Sequence, residues 1–124
     1  MSQNVVIYTL GLLIMIKSIF LYLNREFLIS IYISDAEEAL LSGNVFVRFG
    51  CFLLFWIGLH LVSIRNESQA FLRKTLLNLI ILFSLIIVHG LLYSSDGVSK
   101  TPIPLIILSL FHLSIALYGY LKKT

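Results

Sequence analysis

Four apolar stretches dominate the sequence, each close to the roughly 20 residues a helix needs to cross a hydrocarbon core about 30 Å thick. They are Val5–Leu23, Val45–Ile64, Leu76–Tyr93 and Ile103–Leu121, and the only permanently charged side chains inside them are Lys17 and Arg48. Hydrocarbon offers backbone groups no partner, so a segment lying there must satisfy its own N–H and C=O groups. The runs are continuous and do not alternate, which selects helices over barrel strands. Of the 124 residues, 59% are hydrophobic and 12% charged, against about 45–50% and about 25% in soluble domains. A chain of this length has too little interior to hide that apolar surface from water. The expected fold is therefore all-α: a polytopic membrane protein, one four-transmembrane-helix bundle running up-down-up-down, with a short amphipathic segment on its outer side.

A formal charge of +3 invites a nucleic-acid reading, but the nine Lys and Arg form no basic stripe. They flank the apolar blocks and act as topology signals. Arg65, Arg73 and Lys74 lie between the second and third blocks, and Lys122 and Lys123 follow the fourth. The other side carries Arg25 and Lys100, diluted by Glu26, Asp35, Glu37, Glu38 and Asp96. This bias puts the Arg65–Lys74 loop and both termini in the cytoplasm. The first block lacks a basic n-region and a small-residue cleavage site, so it reads as a retained helix, not a signal peptide. Cys51 is the only cysteine, which excludes an intrachain disulfide.

The longest connection is 24–44. Ser34 and Asp35 stand three residues before Glu37 and Glu38, which is capping-box spacing, so Ala36–Leu41 reads as a short helix stopped near Gly43. Phe27–Ile33 is apolar but too short to span; it extends the first helix or lies in the interface, and a lid over a cavity is the alternative. Asp96-Gly97 marks a turn. Pro102 and Pro104 fall in the first turn of the fourth helix, where a missing N–H costs little.

Ionisable groups inside a spanning helix are costly and face protein or water, so each is a candidate site. They are Lys17, Arg48, His60, His89 and His112, with Asn78 as a neutral companion. At about 1.5 Å per residue, His112 sits near the midplane, Lys17 and His89 roughly 5–7 Å toward the outside, and His60 about 8 Å toward the cytoplasm. Side chains lean toward the N-terminus of their own helix. Lys17, His89 and His112 therefore converge in depth, as a candidate intramembrane polar pocket. On the third helix Asn78, Leu82, Leu85 and His89 share a face at about 100° per residue, and that stripe is expected to look inward. Arg48 lies near the outer boundary and snorkels to headgroups, or meets the outer loop. For the histidines the readings are interhelical hydrogen bonding, substrate or proton handling, and haem ligation. No two share a helix and no thiol or carboxylate completes a set, which disfavours zinc. No cofactor and no metal is expected. Gly50 and Gly58 on the second helix, and Ser109, Ala116 and Gly119 on one face with His112, mark candidate helix contacts. Trp56, near mid-membrane, reads as a packing residue.

Three places carry a resemblance. The run Asn44-Val45-Phe46-Val47-Arg48-Phe49-Gly50 resembles an Arg-x-Gly opening of a second helix. His89-Gly90-Leu91-Leu92-Tyr93-Ser94-Ser95-Asp96-Gly97 resembles a third-helix ending before an Asp-Gly turn, and the proline-containing start of the fourth helix is also similar. The pattern resembles small bacterial four-helix membrane proteins of domain-of-unknown-function family 4345, loosely DoxX-like. The resemblance implies a bacterial inner membrane, and it implies an arginine at the position of His89 and an acidic residue near His112. This chain has imidazoles instead, which removes that ion pair. The family brings no assigned activity.

No nucleophile–base pair is identifiable, so an enzyme is the least favoured reading. The leading expectation is a non-enzymatic integral membrane protein, an accessory or structural subunit of a membrane complex. The alternative is a binder or carrier of a small lipophilic molecule (lipid, sterol-like compound or quinone) held between the helices. The expected partners are the lipid bilayer and either other membrane subunits, further copies of the chain or a small lipophilic ligand, with no nucleic acid.

Overall fold

The computed structural model describes residues 2–27, 37–92 and 103–122. Four long helices account for nearly all of them: α1 (Gln3–Leu23), α2 (Glu37–Ser63), α3 (Gln69–Leu92) and α4 (Ile103–Leu121). No strand occurs among the described residues. α1, α3 and α4 are long and apolar enough to cross a membrane, and the apolar stretch described in α2 is Val47–Ser63.

Local chemistry sets the ends. The Ser2 hydroxyl accepts from the Val5 N–H at the start of α1, and the Ser68 hydroxyl accepts from the Phe71 N–H at the start of α3, each satisfying a donor that the first turn leaves open. Asn24 closes α1, its backbone N–H and its side-chain amide both donating to the Phe20 carbonyl. Pro104 stands in the first turn of α4, as its missing donor requires.

Two boundaries differ from those expected. α3 begins at Gln69, about two turns before its apolar block, because Gln69–Thr75 are helix-compatible and need not lie in hydrocarbon to be helical. α2 runs unbroken through Gly43 from Glu37, so the stop expected near Gly43 does not occur and Glu37–Leu41 belong to the long helix. A glycine inside a helix costs about 1 kcal/mol relative to alanine, too little to stop a run continued by the apolar block after it. The remaining outer segment, residues 28–36, the Asp96-Gly97 turn and Pro102 lie outside the described residues.

α1 is the hub. Its inner residues Val6, Ile7, Leu10, Ile14 and Ser18 repeat every three or four positions and are buried. It packs most extensively on α2 and touches α4 and α3, while α3 packs on α4. Among the described residues α2 meets neither α3 nor α4. The arrangement is an α2–α1 pair leaning on an α3–α4 pair, not a ring of four equal neighbours. Both pairs are antiparallel: Tyr22 meets Phe52 while Gly11 meets Gly58, and Phe83 meets His112 while Arg73 meets Tyr120.

The α1–α2 contact is backbone on backbone. A Cβ on Gly58 would stand 2.7 Å from the Gly11 carbonyl oxygen, and one on Gly11 would stand 2.8 Å from the Gly58 carbonyl oxygen. Glycine at both places lets the two helix backbones touch. Gly50, the other expected contact, faces nothing within 4 Å. On α4 the buried residues are Ser109, His112, Ala116 and Gly119, the face its small residues pointed to. A Cβ on Gly119 would meet Val6 at 2.6 Å.

A polar knot ties together the end where α1 and α3 start and α2 and α4 finish. The Gln3 side-chain amide donates to the Gly119 carbonyl at 3.2 Å. Asn4 donates to the Arg65 carbonyl at 2.7 Å and accepts from Gln69 at 2.8 Å. All four helices are registered there.

Candidate polar site between the helices

His112 is the most constrained of the candidate residues. It is 2% exposed, on the inner face of α4. Its Nδ1 lies 2.7 Å from the Leu108 carbonyl oxygen one turn back, a distance that makes Nδ1–H the donor and leaves Nε2 as a lone-pair acceptor. Nε2 is buried and has no hydrogen-bond partner among the described residues. The ring lies 5.3 Å from that of Phe83 on α3, tilted by 30°, and 6.0 Å from Phe111, edge-on. A polar acceptor left open in such surroundings costs about 1–3 kcal/mol.

Lys17 reaches the same layer from α1. It is half-buried, next to the buried Ser18. No carboxylate of the described residues pairs with it. The Ser18 hydroxyl is satisfied by donating to the Met15 carbonyl at 2.7 Å. Lys17 and His112 thus place an ammonium donor and an open imidazole acceptor between α1 and α4.

The third member of the expected pocket does not join them on the inner face. His89 is exposed on α3, one residue before the buried Gly90. The stripe expected to look inward is corrected with it: Asn78 and His89 are exposed and Leu85 is 62% exposed. The inner face of α3 is instead Leu72, Leu76, Leu79, Phe83 and Gly90. Both faces fit the helical period. The buried one carries an aromatic and four apolar or small residues, so it removes no polar group from water or headgroups.

His60 is exposed and its ring stacks on Trp56 at 5.4 Å and 8°. Trp56 is itself 61% exposed, so it belongs to the outer face of α2 and not to the core. Arg48 is exposed on α2. Among the described residues no group of three His, Cys, Asp or Glu side chains is placed to hold a metal.

An apolar groove of about 250 Å³ opens between α1 and α2, lined by Ser18, Ile19, Tyr22, Cys51, Phe52 and Phe55. Phe83, Ser18 and Gly11 were not singled out by sequence reasoning. Gly11 carried a readable signal, as the only glycine of the first apolar block; Phe83 and Ser18 carried none that separates them from neighbouring apolar and hydroxyl residues.

These features define an all-helical protein, three of whose described helices, α1, α3 and α4, have the length and composition of membrane-spanning segments. Comparison with protein-family models, with curated proteins and with solved structures finds no match to this chain.

Proposed function

We propose that this is a non-enzymatic, four-span integral membrane protein that serves as an accessory or structural subunit of a membrane complex. Its helices run up-down-up-down with both termini cytoplasmic, following the Lys/Arg bias, in a bacterial inner membrane as the resemblance implies. The observation that carries the subunit reading is the isolation of α2. Among the described residues it packs on α1 and on neither other helix, and away from that contact it exposes Phe49, Leu53 and Trp56. A spanning helix with one intramolecular neighbour has a flank open to a helix of another chain, and van der Waals packing supplies the attraction in lipid.

Binding of a small lipophilic molecule is the second reading, favoured by the open donor and acceptor of Lys17 and His112. The groove between α1 and α2 is lined by neither of them, and Nε2 of His112 is buried.

Native mass spectrometry of the detergent-purified protein separates the two. A stoichiometric second chain is the expected result, whereas a stoichiometric small molecule on a monomer replaces the subunit reading with the binding one. Orientation has its own test in a Cys51→Ala background. Cysteines at Glu67 and Thr124 are expected to react only with reagents that enter the cytoplasm, and those at Glu37 and Asp96 from outside. Labelling at Asp96 from the cytoplasmic side overturns the topology.

A further inference from the structure

The end of the molecule tied by Gln3, Asn4 and Gln69 also gathers its cations, and each of three is seated on a tyrosine. The Arg73 guanidinium lies 4.9 Å from the Tyr120 ring centre, across the α3–α4 contact. Arg65 lies 5.7 Å from Tyr8, bridging α2 and α1, and Lys122 lies 5.8 Å from Tyr118. Lys74, next to Arg73, is exposed. Among the described residues Glu67 is the one carboxylate at this end. The opposite end differs in number: among the described residues it holds Arg25 beside Glu26, with Arg25 folded over Tyr22 and onto the Tyr22 carbonyl, much as Arg65 donates to the Val62 carbonyl at 2.6 Å.

Two features set this positive charge apart among the described residues. Arg73 and Lys74 sit in the first two turns of α3, which has no acidic residue in its first turn. The helix dipole is positive there, so cations at that position are disfavoured and an anion is favoured. The rings hold the cations by their faces and place them at the rim of the apolar helices, the depth at which tyrosines meet lipid headgroups. A guanidinium over a ring still has N–H groups to offer a phosphate oxygen, although one nitrogen of Arg65 already donates to the Val62 carbonyl.

We propose that this belt of Arg65, Arg73, Lys74 and Lys122 is a binding surface for anionic phospholipid headgroups of the leaflet it faces. The counter-charge is a phosphodiester carried by the bilayer, since the cations form a rim around the helix ends and not an enclosed pocket for a soluble anion. The proposal rests on the helices spanning a bilayer.

The test reconstitutes the full chain in phosphatidylcholine bilayers containing trace spin-labelled phosphatidylglycerol or spin-labelled phosphatidylcholine. The motionally restricted fraction of each label measures its association with the protein. Phosphatidylglycerol is expected to be favoured roughly two- to fivefold at low salt, with the preference falling toward unity near ~0.5 M salt. The Arg73→Gln/Lys74→Gln/Lys122→Gln variant is expected to lose most of it with unchanged helix content. If that variant does not fold, Lys74→Gln alone must lower the preference measurably and Arg73→Lys must keep it. Equal association of both labels with the unaltered protein, or full preference in the neutralised variants, overturns the belt but leaves the spanning reading intact. Absence of any restricted lipid overturns both. Loss of the preference on adding inorganic phosphate at constant ionic strength identifies a soluble anion and overturns the lipid as occupant.

Discussion

Where α1 meets α2 the closest atoms belong to backbones, and where α3 meets α4 they include rings. Gly11 and Gly58 let two helix backbones touch with no side chain between them. Across the other pair Phe83 and His112 fill the space at 5.3 Å. The difference matters under the proposed spanning arrangement, where lipid tails are as apolar as leucine and neither contact gains from removing apolar surface from water. What remains is dispersion between closely fitted atoms, which a close backbone approach and an interlocked ring each supply. They differ in how they fail. A backbone contact has no slack for added volume, while a ring contact fails when volume is removed.

The largest effect is therefore expected from Gly58→Leu. Even the first carbon of the new side chain would stand within 2.6–2.9 Å of Met15 and Gly11, so the helices must separate, at a cost of about 3 kcal/mol or more. Hydrogen exchange by mass spectrometry is expected to show α2 losing protection while α3 and α4 keep theirs. Simultaneous loss in all four helices would break the division into two pairs. Phe83→Ala should cost less, about 2 kcal/mol, because cavity formation destabilises in lipid without the added penalty of transfer to water. Its signature is the reverse pattern, with protection lost across α3 and α4, read alongside the midpoint of denaturation by sodium dodecyl sulfate. Gly50→Ala sharpens the contrast from below. Nothing lies within 4 Å of the added carbon, so the midpoint should stay level or rise by up to ~0.5–1 kcal/mol from helix propensity. A clear loss there would mean that Gly50 faces a partner chain.

The helical elements were legible because apolar run length and charge flanks are properties of single segments, and α4 was found at Ile103–Leu121 as expected. Its inner face was legible too, since Ser109, His112, Ala116 and Gly119 are small or polar residues on an otherwise large-residue helix. α3 resisted the same reading. A polar stripe through Asn78 and His89 and an apolar stripe through Leu76 and Phe83 are equally periodic, and period alone does not say which neighbour each will find. Of the candidate pocket, Lys17 and His112 come to the inner faces of α1 and α4, and His89 does not. Helix adjacency is set by pairwise fit between distant segments, such as Gly11 on Gly58. No single segment displays it, and so the separation of α2 from α3 and α4 was invisible despite the short turn that joins α2 to α3.

The hub position of α1 also makes it the common support of the described helices. α2 docks on Gly11, and α4 docks on Val6 and Gln3. A chain cut after α2 retains a complete pair, whereas removing α1 takes away the one described helix on which α2 packs. The two helix pairs are thus coupled through a single shared strut, and whatever displaces α1 reaches both.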